Sequence, residues 1–239
     1  MISIASIDIL WIILACIGSY LLGSIPFPVL LGRLIKGMDI REQNTKNPGG
    51  FNAVRSFGVA IGLPIMFLEF LKGTVTIVFI DKIFALEHFV AVDGSNFVHS
   101  FMCILGPTLC VLGHNYNIWL KFEGGQGLGV FMGTLFYVNP LILTFYLIFF
   151  LLMVGLAKMK TRTVGTIVVI LCIIPGVLLS LSPPWVSISL FWKISYLIPV
   201  FPTQGLLIAS MDIALLIKLF QNIVFGSKIG QENVLETRD

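Results

Sequence analysis

Uncharged stretches long enough to cross a bilayer alternate along this chain with short polar segments. Ile9 to Gly32 carries no charge, and a transmembrane helix needs about 20 predominantly apolar residues. Phe57 to Ile80 predicts a second span, interrupted by Glu69 and Lys72, and Phe97 to Leu120 a third. Leu128 to Ala157 is charge-free but too long for one ordinary helix. Asn139-Pro140 marks a turn inside it, because the residue before a proline is driven away from helical backbone. The stretch therefore divides into a short fourth span, tilted or partly re-entrant, and a fifth. Thr163 to Leu181 predicts the sixth, ended by Pro183-Pro184, and Thr203 to Phe225 the seventh.

Composition agrees with this pattern. Hydrophobic residues make up 57% of the 239 residues and charged residues 11%, where soluble domains carry about 25% charged. Mean hydropathy is +0.99, which leaves too little polar surface to coat a soluble globule. The expected fold is an all-α, polytopic integral membrane bundle of about seven helices, with residues 1–239 forming one membrane-embedded unit. The net charge of +3 is too small to suggest nucleic acid. Cys16, Cys103, Cys110 and Cys172 all fall in apolar runs without zinc-like spacing, so neither disulfide nor metal is expected.

The positions of the cations orient the bundle. With the N-terminus outside, the inner segments hold twelve: Arg33, Lys36, Arg41, Lys46, Arg55, Lys121, Lys158, Lys160, Arg162, Lys218, Lys228 and Arg238. The outer segments hold only Lys82 and Lys193. Such an excess of Lys and Arg marks the cytoplasmic side. An unbroken 128–157 stretch would put Lys158, Lys160 and Arg162 outside, which favours seven spans over six.

Three inner segments carry unusual chemistry. Asn44 to Gly58 is rich in Gly and Asn, with a helix expected to begin near Asn52. Glycines let successive backbone N–H groups point into one concavity, and Arg55 adds a forked donor suited to phosphate. The same residues also suit an ordinary turn with helix caps. Glu123 to Gly127 places three glycines in four positions before an apolar helix, without the spacing or lysine of a nucleotide loop. Lys158 to Thr166 supplies hydroxyls and cations. Glu69 and Lys72, three apart, share a helix face, where an ion pair and a substrate role both remain open. His114 sits near the inner end of the third span, as a structural residue or a base. Asp212 is either a buried partner for Lys72 or points into a wet cavity.

Taken in order, these motifs resemble those of the acyl-phosphate-dependent glycerol-3-phosphate acyltransferases of bacterial membranes. The resemblance runs from about Gly23 to Asn222. It rests on Gly23-Ser24-Ile25-Pro26; on Gly37, Asp39, Ile40 and Arg41; on Asn47, Gly49, Asn52 and Arg55; on Phe70-Leu71-Lys72-Gly73; on Gly113-His114; and on Gly124, Gly125 and Gly127. Departures accompany it. Thr45 stands where the family has Ser, Phe51 where it has Thr, and Glu123 and Gln126 where it has lysines. Thr163 and Thr166 keep the hydroxyls of a Ser-Leu-Ala-Ser segment, and Asn222-Ile223 remain after a His/Arg-rich run is replaced by Lys218, Leu219, Phe220 and Gln221.

The resemblance implies transfer of a fatty acyl group from acyl phosphate to glycerol-3-phosphate, yielding lysophosphatidic acid for phospholipid synthesis at the cytoplasmic face of the plasma membrane. It implies catalytic roles for Thr45, Asn47, Arg55 and His114. Substrate binding falls to Gly49, Asn52, Lys72, Gly124, Gly125, Gly127, Thr163, Thr166 and Asn222. The partners implied are acyl phosphate, glycerol-3-phosphate and membrane lipid, with no metal, dissociable cofactor or nucleic acid. The alternatives are a non-catalytic, anionic-lipid-binding or regulatory paralogue, and an acyltransferase with a different acceptor. Phe51, Glu123, Gln126 and Leu219 speak for these. The lack of internal repeats disfavours a transporter.

Overall fold

A computed structural model describes residues 4–85, 97–155, 167 and 206–221 of the chain. Among them every regular element is helical. The order is α1 (Ile4–Ser24), α2 (Phe27–Lys36), a 3₁₀ turn (Ile40–Glu42), α3 (Gly50–Phe57), α4 (Val59–Phe84), α5 (Phe97–Asn115), a second 3₁₀ turn (Ile118–Leu120), α6 (Leu128–Val138) and α7 (Pro140–Gly155). Residues 206–221 form α8.

Among the described residues, three stretches are long and apolar enough to cross a membrane: Ile9–Lys36, Val59–Phe84 and Phe97–Leu120. The first is not one helix. Pro26 lacks the N–H that would continue α1, so the expected span from Ile9 to Gly32 is corrected to α1 followed by the separate helix α2. α2 keeps Leu30, Leu34 and Ile35 exposed beside Arg33 and Lys36, as befits a helix lying at an interface. The second expected span likewise begins later, because Gly58, at φ +80, separates α3 from α4.

The predicted break at Asn139-Pro140 is present, with Asn139 accepting from the Ile142 N–H at 3.1 Å. α6 has 11 residues. At 1.5 Å per residue it rises about 16 Å, roughly half of a bilayer core. The sixth expected span, Thr163 to Leu181, lies outside the described residues apart from Ile167.

The helices pack through small residues, as membrane helices do where side chains and lipid are equally apolar. A Cβ on Gly73 of α4 would land on the Val130 carbonyl of α6, and one on Gly133 of α6 would land on the Phe70 carbonyl of α4. That approach lets Thr74 Oγ1 donate to the Gly133 carbonyl at 2.7 Å. On the other side of α5, Ser24 Oγ of α1 donates to the Gly113 carbonyl at 3.0 Å. α8 joins through Asn115 Nδ2, which donates to the Ala214 carbonyl at 3.2 Å. The resulting core holds Ile77, Met102, Val111, Phe131, Leu135, Leu207 and Met211. Outward-facing Ile9, Leu10, Ile13, Leu14 and Ile17 on α1 remain exposed to what would be lipid.

Candidate functional site

The loop before α3 is built around one side chain. Asn52 is 2% exposed. Its Nδ2 donates to the carbonyls of Ile40 at 3.1 Å, Gln43 at 3.1 Å and Asn47 at 3.0 Å, while Oδ1 accepts from the Thr45 N–H at 3.3 Å. Two loop residues, Asn44 and Lys46, adopt positive φ, 46° and 56°. Asn52 thus gives its amide to the loop itself. Asp39 anchors the preceding turn: it accepts from the Arg41 backbone N–H at 2.9 Å and pairs with the Arg41 and Arg33 guanidinium groups, each at 2.7 Å. The Arg41 guanidinium beside it holds the Asp39 carboxyl well below the usual carboxylate range. Its contribution to the fold is therefore fully present above the ordinary carboxylate range. It fades only as pH falls towards the depressed value, so Arg41 stays oriented through mild acid.

Beneath this loop lies a buried polar triad. Glu69 Oε1 accepts from Lys72 Nζ at 2.8 Å, and Glu69 Oε2 lies 2.7 Å from His114 Nδ1. Lys72 Nζ also donates to the carbonyls of Gly23, at 3.2 Å, and Ile25, and sits 5.2 Å from the centre of the Phe27 ring. All three ammonium protons are thereby engaged, two of them by carbonyls at the end of α1. Of the two roles left open for Lys72, its contacts fit support, and Lys72 is not among the residues that line the cavity described below. Nor is Asp212 its partner. Asp212 is fully buried, and among the described residues neither of its oxygens has a hydrogen-bond partner.

The glycine corner closes on the triad. A Cβ on Gly124 would land on the His114 carbonyl, and one on Gly125 on His114 Nε2, so only glycine allows the loop to lie this close. The Gly124 N–H donates to the Asn115 carbonyl and the Gly125 N–H to the His114 carbonyl, both at 3.1 Å. These amides therefore do not form the expected anion nest; they tie the corner to the end of α5. Gly127, in left-handed backbone at φ +79, then starts α6 without a side-chain cap. The first-turn amides of a helix have no partner within it, so the donors the corner offers an anion are those entering α6.

The loop, the corner and the triad meet at one cavity of about 1880 Å³. Of the residues expected at the site, it brings together Thr45, Asn47, Gly49, Asn52, Arg55, His114, Gly124 and Gly127. Gly125 packs behind, against His114. Thr163, Thr166 and Asn222 lie outside the described residues. The wall also holds Arg41, Lys46, Glu69, Tyr116, Gln126, Lys218 and Gln221; of these, Glu69 carried an open substrate role in the sequence. Lys218 is buried, its Nζ 4.9 Å from the centre of the Tyr116 ring, and Tyr116 Oη donates to Gln221 Oε1 at 3.0 Å. Lys218 and Gln221 are remote in sequence from the motifs they join, so spacing alone did not find them, whereas Arg41, Lys46 and Gln126 lie inside those motifs.

Apart from Thr74 and Glu123, the rest of the wall is largely apolar. Met66, Phe67 and Phe70 of α4, Met132 and Phe136 of α6, and Leu147, Phe150 and Leu151 of α7 continue the cavity away from its polar end. Phe51 of α3 reaches across to Phe150, ring centres 5.4 Å apart. Cations at one end and an apolar trough at the other suit an amphiphile with an anionic head.

The family model for glycerol-3-phosphate acyltransferase matches residues 13–224. A glycerol-3-phosphate acyltransferase of Acholeplasma laidlawii is 33% identical over 137 residues, 57% of this chain and 57% of that protein. One from Ureaplasma urealyticum is 32% identical over 181 residues, 73% of this chain and 71% of that protein. This chain thus spans between 57% and 71% of these relatives' lengths. Among solved structures, PlsY (YgiH), an integral membrane glycerol 3-phosphate acyltransferase in its glycerol 3-phosphate form, shares the fold. Its TM-score is 0.62 at 23% identity, covering 90% of this chain and 92% of that one.

Proposed function

The chain belongs to the glycerol-3-phosphate acyltransferase family, and from that premise we propose that it transfers a fatty acyl group from acyl phosphate to the 1-hydroxyl of glycerol-3-phosphate. The new bond joins that oxygen to the acyl carbon. The acyl carbon's bond to the phosphate oxygen breaks, its electron pair leaves on inorganic phosphate, and the hydroxyl proton passes to that phosphate. Lysophosphatidic acid is the organic product. The observation that carries this reading is the single cavity with cations at one end and an apolar trough at the other.

Both substrates are anionic, and acyl phosphate is already activated, so positioning and charge stabilisation supply the catalysis. Arg55, Arg41 and the amides entering α6 hold phosphoryl oxygens. Thr45 and Asn47 orient the acceptor, and the α4–α6–α7 trough takes the acyl chain. Asn52 and Lys72 position the loop and the end of α1. His114 has Glu69 on one ring nitrogen and Gly125 against the other; we assign it to holding the glycine corner rather than to proton transfer. Thr163, Thr166 and Asn222 complete the substrate contacts in this reading. The inner-segment excess of cations supports a cytoplasmic active face in the plasma membrane.

Purified protein in lipid, given acyl phosphate and labelled glycerol-3-phosphate, should release lysophosphatidic acid and phosphate in equal amounts. A folded sample inert with these and with other acyl-phosphate acceptors overturns the enzyme reading. Phe51 and Glu123 in the cavity wall, where the family carries a hydroxyl and a lysine, favour a second reading. In it the chain binds lysophosphatidic acid without turnover, and the same assay with a binding arm separates the two.

A further inference from the structure

A second cluster of reactive side chains lies far along α4 from the cavity. Asp81 is twelve residues beyond Glu69 on the same helix, a rise of about 18 Å. We propose that Asp81, His99 and Cys103 form a binding site for a divalent transition metal of the zinc class, joining α4 to α5. The juxtaposition, rather than any one residue, carries the proposal. His99 and Cys103 stand four apart on α5, so they share a face, and Asp81 meets them from α4. Asp81 Oδ1 lies 2.9 Å from His99 Nε2, and Cys103 Sγ lies 3.5 Å from the same nitrogen. All three donor atoms fall within 4.8 Å of one another. Bonds of about 2.0–2.3 Å in tetrahedral geometry place ligand atoms roughly 3.2–3.7 Å apart, so a small opening of the cluster admits an ion.

Three further observations suit a metal. Tyr137 Oη of α6 donates to the other carboxylate oxygen, Asp81 Oδ2, at 2.8 Å, and Lys82 Nζ lies 3.2 Å from it. Such outer contacts fix a ligating carboxylate and leave Oδ1 directed at the ion. The donor set of one sulfur, one imidazole nitrogen and one carboxylate oxygen selects zinc or cobalt over magnesium or calcium. Binding forms a metal–sulfur bond and releases the Cys103 thiol proton to solvent, with His99 binding as neutral imidazole through Nε2. A divalent cation, a thiolate and a carboxylate then sum to zero charge, which is the least costly state for a site whose cysteine is fully buried. With three protein ligands, the fourth position takes water.

The site rests on residues unconnected to the acyl-transfer reading, so either stands without the other. Tag-free full-length protein, stripped with chelator and titrated with Co²⁺, should bind one equivalent and show a thiolate-to-cobalt charge-transfer band that Zn²⁺ abolishes. Zn²⁺ should raise Tm, and Mg²⁺ should not. Cys103→Ser, nearly isosteric, should lose both the band and the Zn²⁺-dependent rise while remaining folded. His99→Ala should weaken binding at least tenfold, and Cys110→Ser should change nothing. A folded wild-type protein that gives no band, or a band that survives Cys103→Ser, overturns the proposal.

Discussion

Removing Arg55 and removing Lys72 should harm the protein in different ways. Arg55 lines the cavity and is exposed to it, so Arg55→Ala should cost charged hydrogen bonds to phosphate, about 1.5–3 kcal/mol. That corresponds to a fall in kcat/KM of about 10- to 100-fold with Tm nearly unchanged, and Arg55→Lys should recover only part of it, because the fork is lost. Lys72 is buried against Glu69 and two carbonyls. Lys72→Met should instead destabilise the protein by about 3–5 kcal/mol, read as a lower Tm in a lipid or detergent melt. An unchanged KM in folded Lys72→Met, beside a raised KM in Arg55→Ala, would confirm the division. At this scale the sequence was legible where chemistry is local: Asn47, Asn52 and Arg55 lie within nine positions and line the same cavity. It left two roles open for Lys72, since a cation beside polar motifs reads alike whether it faces substrate or caps a helix. The pairing of Glu69 with His114 spans 45 positions and left no signal in spacing.

Glycine-rich linkers have two physical uses, and the corner before α6 shows the less obvious one. Its amides at Gly124 and Gly125 serve the carbonyls at the end of α5, and its missing side chains let the loop lie on His114. Gly125→Val should therefore act as overpacking. About 1–3 kcal/mol of stability should be lost, together with activity, because α6 enters the cavity from a displaced corner. A Gly125→Val protein with native Tm and native turnover would show that this contact is not needed. Element boundaries were legible where proline or glycine breaks backbone hydrogen bonding, as at Asn139-Pro140. Pro26, followed by Pro28 inside an uncharged run, was read through as one span. The hydrophobic pattern is the same whether such a run crosses lipid once or bends to lie along its surface.

At the scale of the whole molecule, the helical membrane fold was legible from hydropathy alone, because a chain this apolar has few other solutions. The cavity was not. Its polar end joins residues from four segments that are distant in sequence, and its trough joins three helices whose apolar residues look like any lipid-facing set. What makes these one site is that the first polar loop and the glycine corner face the same side and the same space. Single cysteines at Thr45 and Gln126, in a background with the native cysteines replaced, test this directly with a membrane-impermeant maleimide on sealed vesicles of known orientation. Both positions should label from the same side, and added lysophosphatidic acid should protect both. Labelling from opposite sides, or protection of one position without the other, would contradict the account.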